Sequence, residues 1–141
     1  MVSLSFRNII KIHKVSLTAS SGEPMMKTWL CMQGCGACCH LAPEDRPDLA
    51  TYLTPSELEQ YLSLVGPDGW CVHYDGDRRQ CRIYDQRPRF CRVLPDTFAQ
   101  MFGVAEDEFE AFAIDCCQAQ ITGVYGPQSV ELAQYQQAVG P

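Results

Sequence analysis

A small, irregular, metal-stabilised α+β domain with a β-hairpin and two to three helices is the fold this sequence predicts, and three observations predict it. Nine cysteines are spread over 141 residues, four of them between positions 31 and 39. One stretch reads as a β-hairpin, and others show the apolar spacing and end signals of helices. No apolar run approaches the roughly 18 residues of a membrane span. The chain length suffices for one domain with one modest core.

The first 27 residues stand apart. Arg7, Lys11, Lys14 and Lys27 face Glu23 alone, and the segment is rich in Ser and Thr and free of cysteine. It reads as a transit-like peptide, an unstructured tail or a start placed too early, with Met25 and Met26 just ahead of the cluster. It lacks the long apolar centre of a secretory signal, so export is not expected. The expected compartment is the cytoplasm, or the plastid stroma if the head is a transit peptide. There the thiols stay reduced, and an odd number of cysteines argues further against a disulfide framework. Residues 28–141 are then the cysteine-cluster domain.

Residues 28–47 read as loop, with Gly34 and Gly36 allowing tight backbone around the sulfurs. Thr54-Pro55-Ser56-Glu57 opens a helix: Thr54 caps, Pro55 suits the first turn, and Glu57 completes a capping box. Leu58, Tyr61, Leu62 and Val65 give it an apolar face, and Gly66-Pro67 ends it. Trp70 to Tyr74 and Gln80 to Tyr84 read as two strands of a hairpin around Asp75–Arg79. Pairing Tyr74 with Gln80 places His73 opposite Cys81 and puts Cys71 and His73 on one face. Phe90-Cys91-Arg92 reads as a turn. Residues 105–124 read as a helix whose Phe109, Phe112, Ala113, Cys116 and Val124 share one side, with Cys117 at its margin. Glu106-Asp107-Glu108 suits the start of that helix. Gly126-Pro127 breaks it, and Ser129 opens a short last one.

The net charge of -6 argues against general binding to nucleic acid or to anionic lipid. Trp70 and Tyr84 are accordingly read as core residues and not as a base-stacking platform. No phosphate loop and no nucleophile–base arrangement is visible.

The cysteines fall into groups: Cys31, Cys35, Cys38 and Cys39; single ones at Cys71, Cys81 and Cys91; and the pair Cys116 and Cys117. Thiolates are soft and repel one another unless a cation neutralises them, so sulfurs drawn from several segments point to zinc or iron. Cys116 and Cys117 read either as ligands of a second ion or as buried small apolar residues. His40 and His73 have both a ligand reading and an ordinary one. Arg82, Arg87, Arg89 and Arg92 gather near Cys81 and Cys91, and Arg82 and Arg87 suit the offsetting of thiolate charge. The spacing from Cys31 to Cys38 matches that of radical-SAM clusters, but the chain is too short for their barrel. Cys39-His40 fails the haem motif because Gly36 stands where a cysteine is needed.

Cys35-Gly36-Ala37-Cys38-Cys39, Cys81-Arg82-Ile83-Tyr84 and Arg87-Pro88-Arg89-Phe90-Cys91-Arg92 together resemble the YkgJ-like cysteine-cluster family, a zinc- or iron-chelating domain with the signature CxxCxxCC. The resemblance covers about residues 28–125. Gly69–Tyr74 and Val124–Gly126 resemble its cyanobacterial and plastid branch. It implies ligands at Cys31, Cys35, Cys38 and Cys39, with Cys71, Cys81 and Cys91 following. The chain departs from the signature in having three residues between Cys31 and Cys35. Flagellin lysine N-methylases resemble the family in their cysteine cluster, but no methyl-donor motif is present here.

The leading functional reading is a metal-binding protein that holds zinc or iron, as ions or as an iron–sulfur cluster, with a protein partner. The second is an iron-dependent oxidoreductase or protein-modifying enzyme. The third is a thiol redox protein using Cys38-Cys39 or Cys116-Cys117.

Overall fold

In the computed structural model, which describes residues 28–140, one helical turn, α1 (Leu49–Tyr52), leads into α2 (Pro55–Leu64). The head at residues 1–27 lies outside the described residues. The α2 start is the one its sequence dictates. Thr54 Oγ1 accepts from the Glu57 N–H at 3.2 Å, and Glu57 Oε1 accepts from the Thr54 N–H at 3.1 Å. Glu57 also receives two hydrogen bonds from Arg89, at 2.8 and 2.7 Å, which hold α2 against the turn that carries Cys91. Tyr61 is fully buried, whereas Leu62 is 49% exposed, so the buried stripe of α2 is narrower than its apolar spacing suggests.

The hairpin is shorter than expected and its register differs by one residue. Strands β1 (Tyr74–Asp75) and β2 (Gln80–Cys81) are antiparallel and pair Tyr74 with Cys81 and Asp75 with Gln80. The expected pairing of Tyr74 with Gln80 is therefore corrected. Four residues, Gly76 to Arg79, make the turn, and the Asp75 carboxylate accepts from the N–H groups of Asp77 and Arg78. A side chain that folds back on its own turn fixes the register locally. Upstream, Trp70 bridges to His40 and Cys71 to Val65, and residues 72–73 turn. The two-residue period thus does not run from Cys71 to His73.

Two short 3-10 turns follow, Tyr84–Gln86 and Arg89–Cys91, and then three helices: α3 (Pro95–Phe102), α4 (Phe109–Tyr125) and α5 (Val130–Val139). The small α+β domain is as expected, and among the described residues α1 and α3 join the three helices anticipated. Ser129 caps α5 by accepting from the Leu132 N–H at 3.1 Å.

Helix α4 is the axis of the domain. Phe109, Phe112, Ala113 and Cys116 pack into one apolar cluster with Tyr61, Phe90 and Phe98. Ile114 and Ile121 pack into a second with Ala37, Leu132 and Tyr135. A helix covered on two sides has no single apolar stripe. Phe98 stands edge-on to Phe102, Phe109 and Phe112, an arrangement aromatic rings favour. The cysteine-bearing loop contributes to both clusters, through Leu41 to the first and Ala37 to the second. Among the described residues no helix is long and apolar enough to cross a membrane.

Candidate metal centre

The loop that carries the cluster is pinned from two sides. Gly36 adopts φ 64°, and residues Ala37–Cys39 then wind into a 3-10 turn. The Gln120 side-chain amide, on α4, donates to the carbonyls of Ala37 at 2.8 Å and His40 at 3.3 Å. The Tyr125 hydroxyl donates to the Cys35 carbonyl. On the other side the Cys71 N–H donates to the Cys39 carbonyl at 2.8 Å, and the Leu41 N–H to that of Gly69 at 2.7 Å. These bonds bring Cys71 beside Cys39, and the hairpin then brings Cys81.

Around this scaffold lies a cavity of about 260 Å³. Cys31, Cys38, Cys39, Cys71, Cys81 and Cys91 line it. Loop, bridge, hairpin and 3-10 turn each supply a thiol, whereas Cys116 and Cys117 on the helix do not line this cavity. Cys35, Cys116 and Cys117 border a smaller cavity, and Cys31, Cys38 and Cys91 border both. Cys116 is 2% exposed and packs in the first apolar cluster. Neither His40 nor His73 lines the larger cavity. The His40 ring stands edge-on to Trp70 with centroids 5.0 Å apart. Among the described residues no three His, Cys, Asp or Glu side chains are drawn together tightly enough to hold an ion. The sulfurs share a cavity but do not close to the Zn–S distance of about 2.3 Å.

Electrostatics distinguishes the thiols. The Cys38 thiol is pushed well below its ordinary range, chiefly by a hydrogen bond from Cys39, with Arg87 and Arg46 adding to the effect. Cys39 is pushed up by the same contact and by burial. Burial raises Cys35 and Cys91 to about 11, and it also raises Cys31, Cys71 and Cys117. Cys38 is thus the first of this pair to ionise. A cation entering the ring would have to displace protons from its neighbours.

Two arginines stand at the ring. Arg87 lies over the Tyr84 ring at 3.8 Å, donates to the carbonyls of Tyr84 and Cys91 at 2.8 and 3.1 Å, and borders both cavities. Its expected place beside the sulfurs is found. Arg82 is exposed and borders neither cavity. Tyr84, expected in the core, is 47% exposed at the cavity rim, because its ring packs on Arg87 and not inward.

Sequence reasoning did not single out Arg46. It is 4% exposed, and its Nη2 donates to the His40 carbonyl at 2.6 Å. Its Nη1 is buried without a partner, and no described carboxylate pairs with it. The charges of Cys38 and Cys91 act on it. No pattern in the sequence marks it, because an arginine between two prolines looks like loop.

Residues 30–118 match the sequence profile of a family named CxxCxxCC, described as a putative zinc- or iron-chelating domain. No curated protein and no solved structure matches the chain.

Proposed function

Because the chain belongs to the CxxCxxCC family of zinc- or iron-chelating domains, we propose that it binds zinc or iron through the thiols around its larger cavity, Cys38, Cys39, Cys71, Cys81 and Cys91. The observation that carries this reading is Arg46. A buried cation without an anionic partner costs several kcal/mol. Carbonyl groups alone do not offset that charge, whereas a metal held by thiolates is net negative and would. The charges of Arg46 and Arg87 both act on Cys38, and an anionic centre there would offset them.

The cavity bears on what is held. Its volume is several times the roughly 30 Å³ that one water occupies in the liquid, so a polynuclear iron centre fits as readily as a lone zinc. The same space favours one second reading: an ion with an open coordination position, where a substrate atom binds beside the metal and the protein acts as an enzyme. A bound metal would supply either a structural tie between segments or Lewis-acid or redox chemistry. The chain's own part is to gather the sulfurs, offset their charge and wall them with Leu41, Leu64 and Ile83.

The test is metal analysis and absorption spectroscopy on full-length protein purified without oxygen. Iron with broad absorbance at about 400 nm identifies an iron–sulfur centre, and stoichiometric zinc in a colourless sample identifies a zinc site. Cys81→Ser and Cys91→Ser should each lower metal content and Tm together. Metal content unchanged in Cys38→Ser, Cys81→Ser and Cys91→Ser alike would sink the proposal.

A further inference from the structure

Charge is divided unevenly along the described residues. Between positions 78 and 92 stand six arginines and one carboxylate, Asp85, whereas the rest of residues 28–140 carries fifteen carboxylates and only Arg46. Residues 28–140 contain no lysine. Arginine pairs with carboxylates through two parallel bonds and is enriched at protein interfaces, where lysine is depleted.

The domain's own carboxylates take up only part of this charge. Arg79 pairs with Glu131 and Arg89 with Glu57, and among the described residues no carboxylate pairs with Arg82, Arg87 or Arg92. Arg87 and Arg92 are tied to backbone instead. Arg87 donates to the Tyr84 and Cys91 carbonyls, and Arg92 to those of Arg87 and Asp85 at 2.7 and 3.1 Å. Two guanidinium groups are thus fixed on the pair of 3-10 turns before any partner arrives, which lowers the ordering cost of binding. The same stretch begins and ends on an exposed apolar side chain. Tyr84, packed on Arg87, and Leu94 are each 47% exposed. Arg82 is exposed as well, while Cys81 and Ile83 on either side of it line the larger cavity.

We propose that residues 82–94 form a docking face for an acidic stretch of a partner protein, with its carboxylates received by Arg82 and Arg92 and its apolar side chains by Tyr84 and Leu94. Charge complementarity selects this occupant. Nucleic acid offers anions too, but the fifteen carboxylates elsewhere on the domain repel a phosphate chain that runs past the arginines. A second copy also offers carboxylates, but they lie on a different patch from the arginines. Its contact would run head to tail, into a ring or an open filament. Tyr84 and Arg87 line the larger cavity, so the docked partner lies at the edge of the thiols. This inference goes beyond the function proposed above and does not depend on a bound metal.

The experiment is fluorescence anisotropy of a labelled peptide of Glu-Glu-Leu repeats, titrated with full-length protein purified without oxygen. The peptide should bind, and less tightly as salt is raised. The same peptide with Gln in place of Glu should bind about tenfold more weakly. Arg82→Glu should weaken binding of the Glu peptide about tenfold, whereas Arg78→Glu, the same change of net charge at the hairpin turn, should weaken it by about twofold at most. Leu94→Ser should weaken it about fivefold. Serine is a favourable cap for α3, so that loss would not come from unfolding, and circular dichroism checks the fold of each variant. Metal content should stay at the wild-type level in Arg82→Glu and Leu94→Ser, so the docking face and the metal site fail separately. No binding of the Glu peptide, equal losses in Arg78→Glu and Arg82→Glu, or tighter binding of a single-stranded RNA oligonucleotide than of the peptide overturns the proposal. So does self-association in sedimentation that Arg82→Glu abolishes, since it assigns the face to a second copy.

Discussion

Gly36 is the point of tightest backbone in the site. A Cβ there would stand 2.7 Å from Tyr74 Cε1 and 3.1 Å from the Arg79 carbonyl, on a φ of +64°. Gly34 has a φ of +80° but open space around it. Gly34→Ala should therefore cost only the left-handed penalty, about 1–2 kcal/mol, whereas Gly36→Ala should cost about 1–2 kcal/mol more because Tyr74 or the hairpin turn must move. Urea unfolding of the two variants measures the difference, and equal losses would refute the packing argument. The same residues show what was legible at this scale. That Cys39, Cys71, Cys81 and Cys91 would lie near one another was expected from the chemistry of thiolates, and they line one cavity, although no three close on an ion among the described residues. The burial of Arg46 was not expected, because it arises from Tyr61, whose ring lies 5.9 Å from the guanidinium, and from the His40 carbonyl, both set by tertiary contacts.

Among the elements, α2, α4 and α5 were legible because each has a start or stop written in adjacent residues. Helix α3 had signals too: Pro95 in its first turn, Phe98, Met101 and Phe102 on one face, and Gly103 closing it at φ 68°. Its cap is unusual, with Thr97 inside the helix accepting from the Leu94 N–H at 3.2 Å and donating to the Arg92 carbonyl at 2.7 Å. The usual search for Ser, Thr, Asp or Asn before the first turn passes it by. The hairpin register escaped for a different reason: two-residue strands have too little periodicity to fix a pairing, and the Asp75 turn decides it. Between α2 and the Arg89–Cys91 turn, Glu57 is held down to about 2, first by the hydrogen bonds from Arg89 and also by the Thr54 N–H. A carboxylate with a depressed pKa adds stability above its ordinary value and loses it as pH falls. Wild-type stability should therefore decline as pH drops from about 4.5 towards 2, and Glu57→Gln should show a shallower decline over that window. The pair is partly solvated, so the effect at neutral pH should be at most about 1 kcal/mol. Acid titration of Tm for both proteins checks this, and parallel curves would remove the pair from the account.

The molecule as a whole rests on two apolar clusters joined by α4 and on a sulfur-lined seam beside them. A structural zinc contributes roughly 10–16 kcal/mol in small peptides that have almost no core, and whole domains are stable by about 5–15 kcal/mol. This domain has cores of its own in Phe90, Phe98, Phe112 and in Ile114, Ile121, Tyr135. Metal removal should therefore loosen it without dissolving it. Chelation of metal-loaded protein should lower Tm by more than about 10 °C, the shift that roughly 3 kcal/mol produces in a domain of this size, while most of the far-ultraviolet helical signal remains at 20 °C or so. Complete loss of that signal would mean that the clusters cannot stand alone.

The indole of Trp29, seated on the Cys117 sulfur, gives this protein an optical gauge of its own. Sulfur at that range quenches indole emission, and a heavy ion bound to the sulfur quenches it further. Trp70, stacked on Tyr74 with centroids 4.4 Å apart, serves as the internal reference. Fluorescence of the unlabelled chain thus reports on the surroundings of Cys117 separately from those of Trp70.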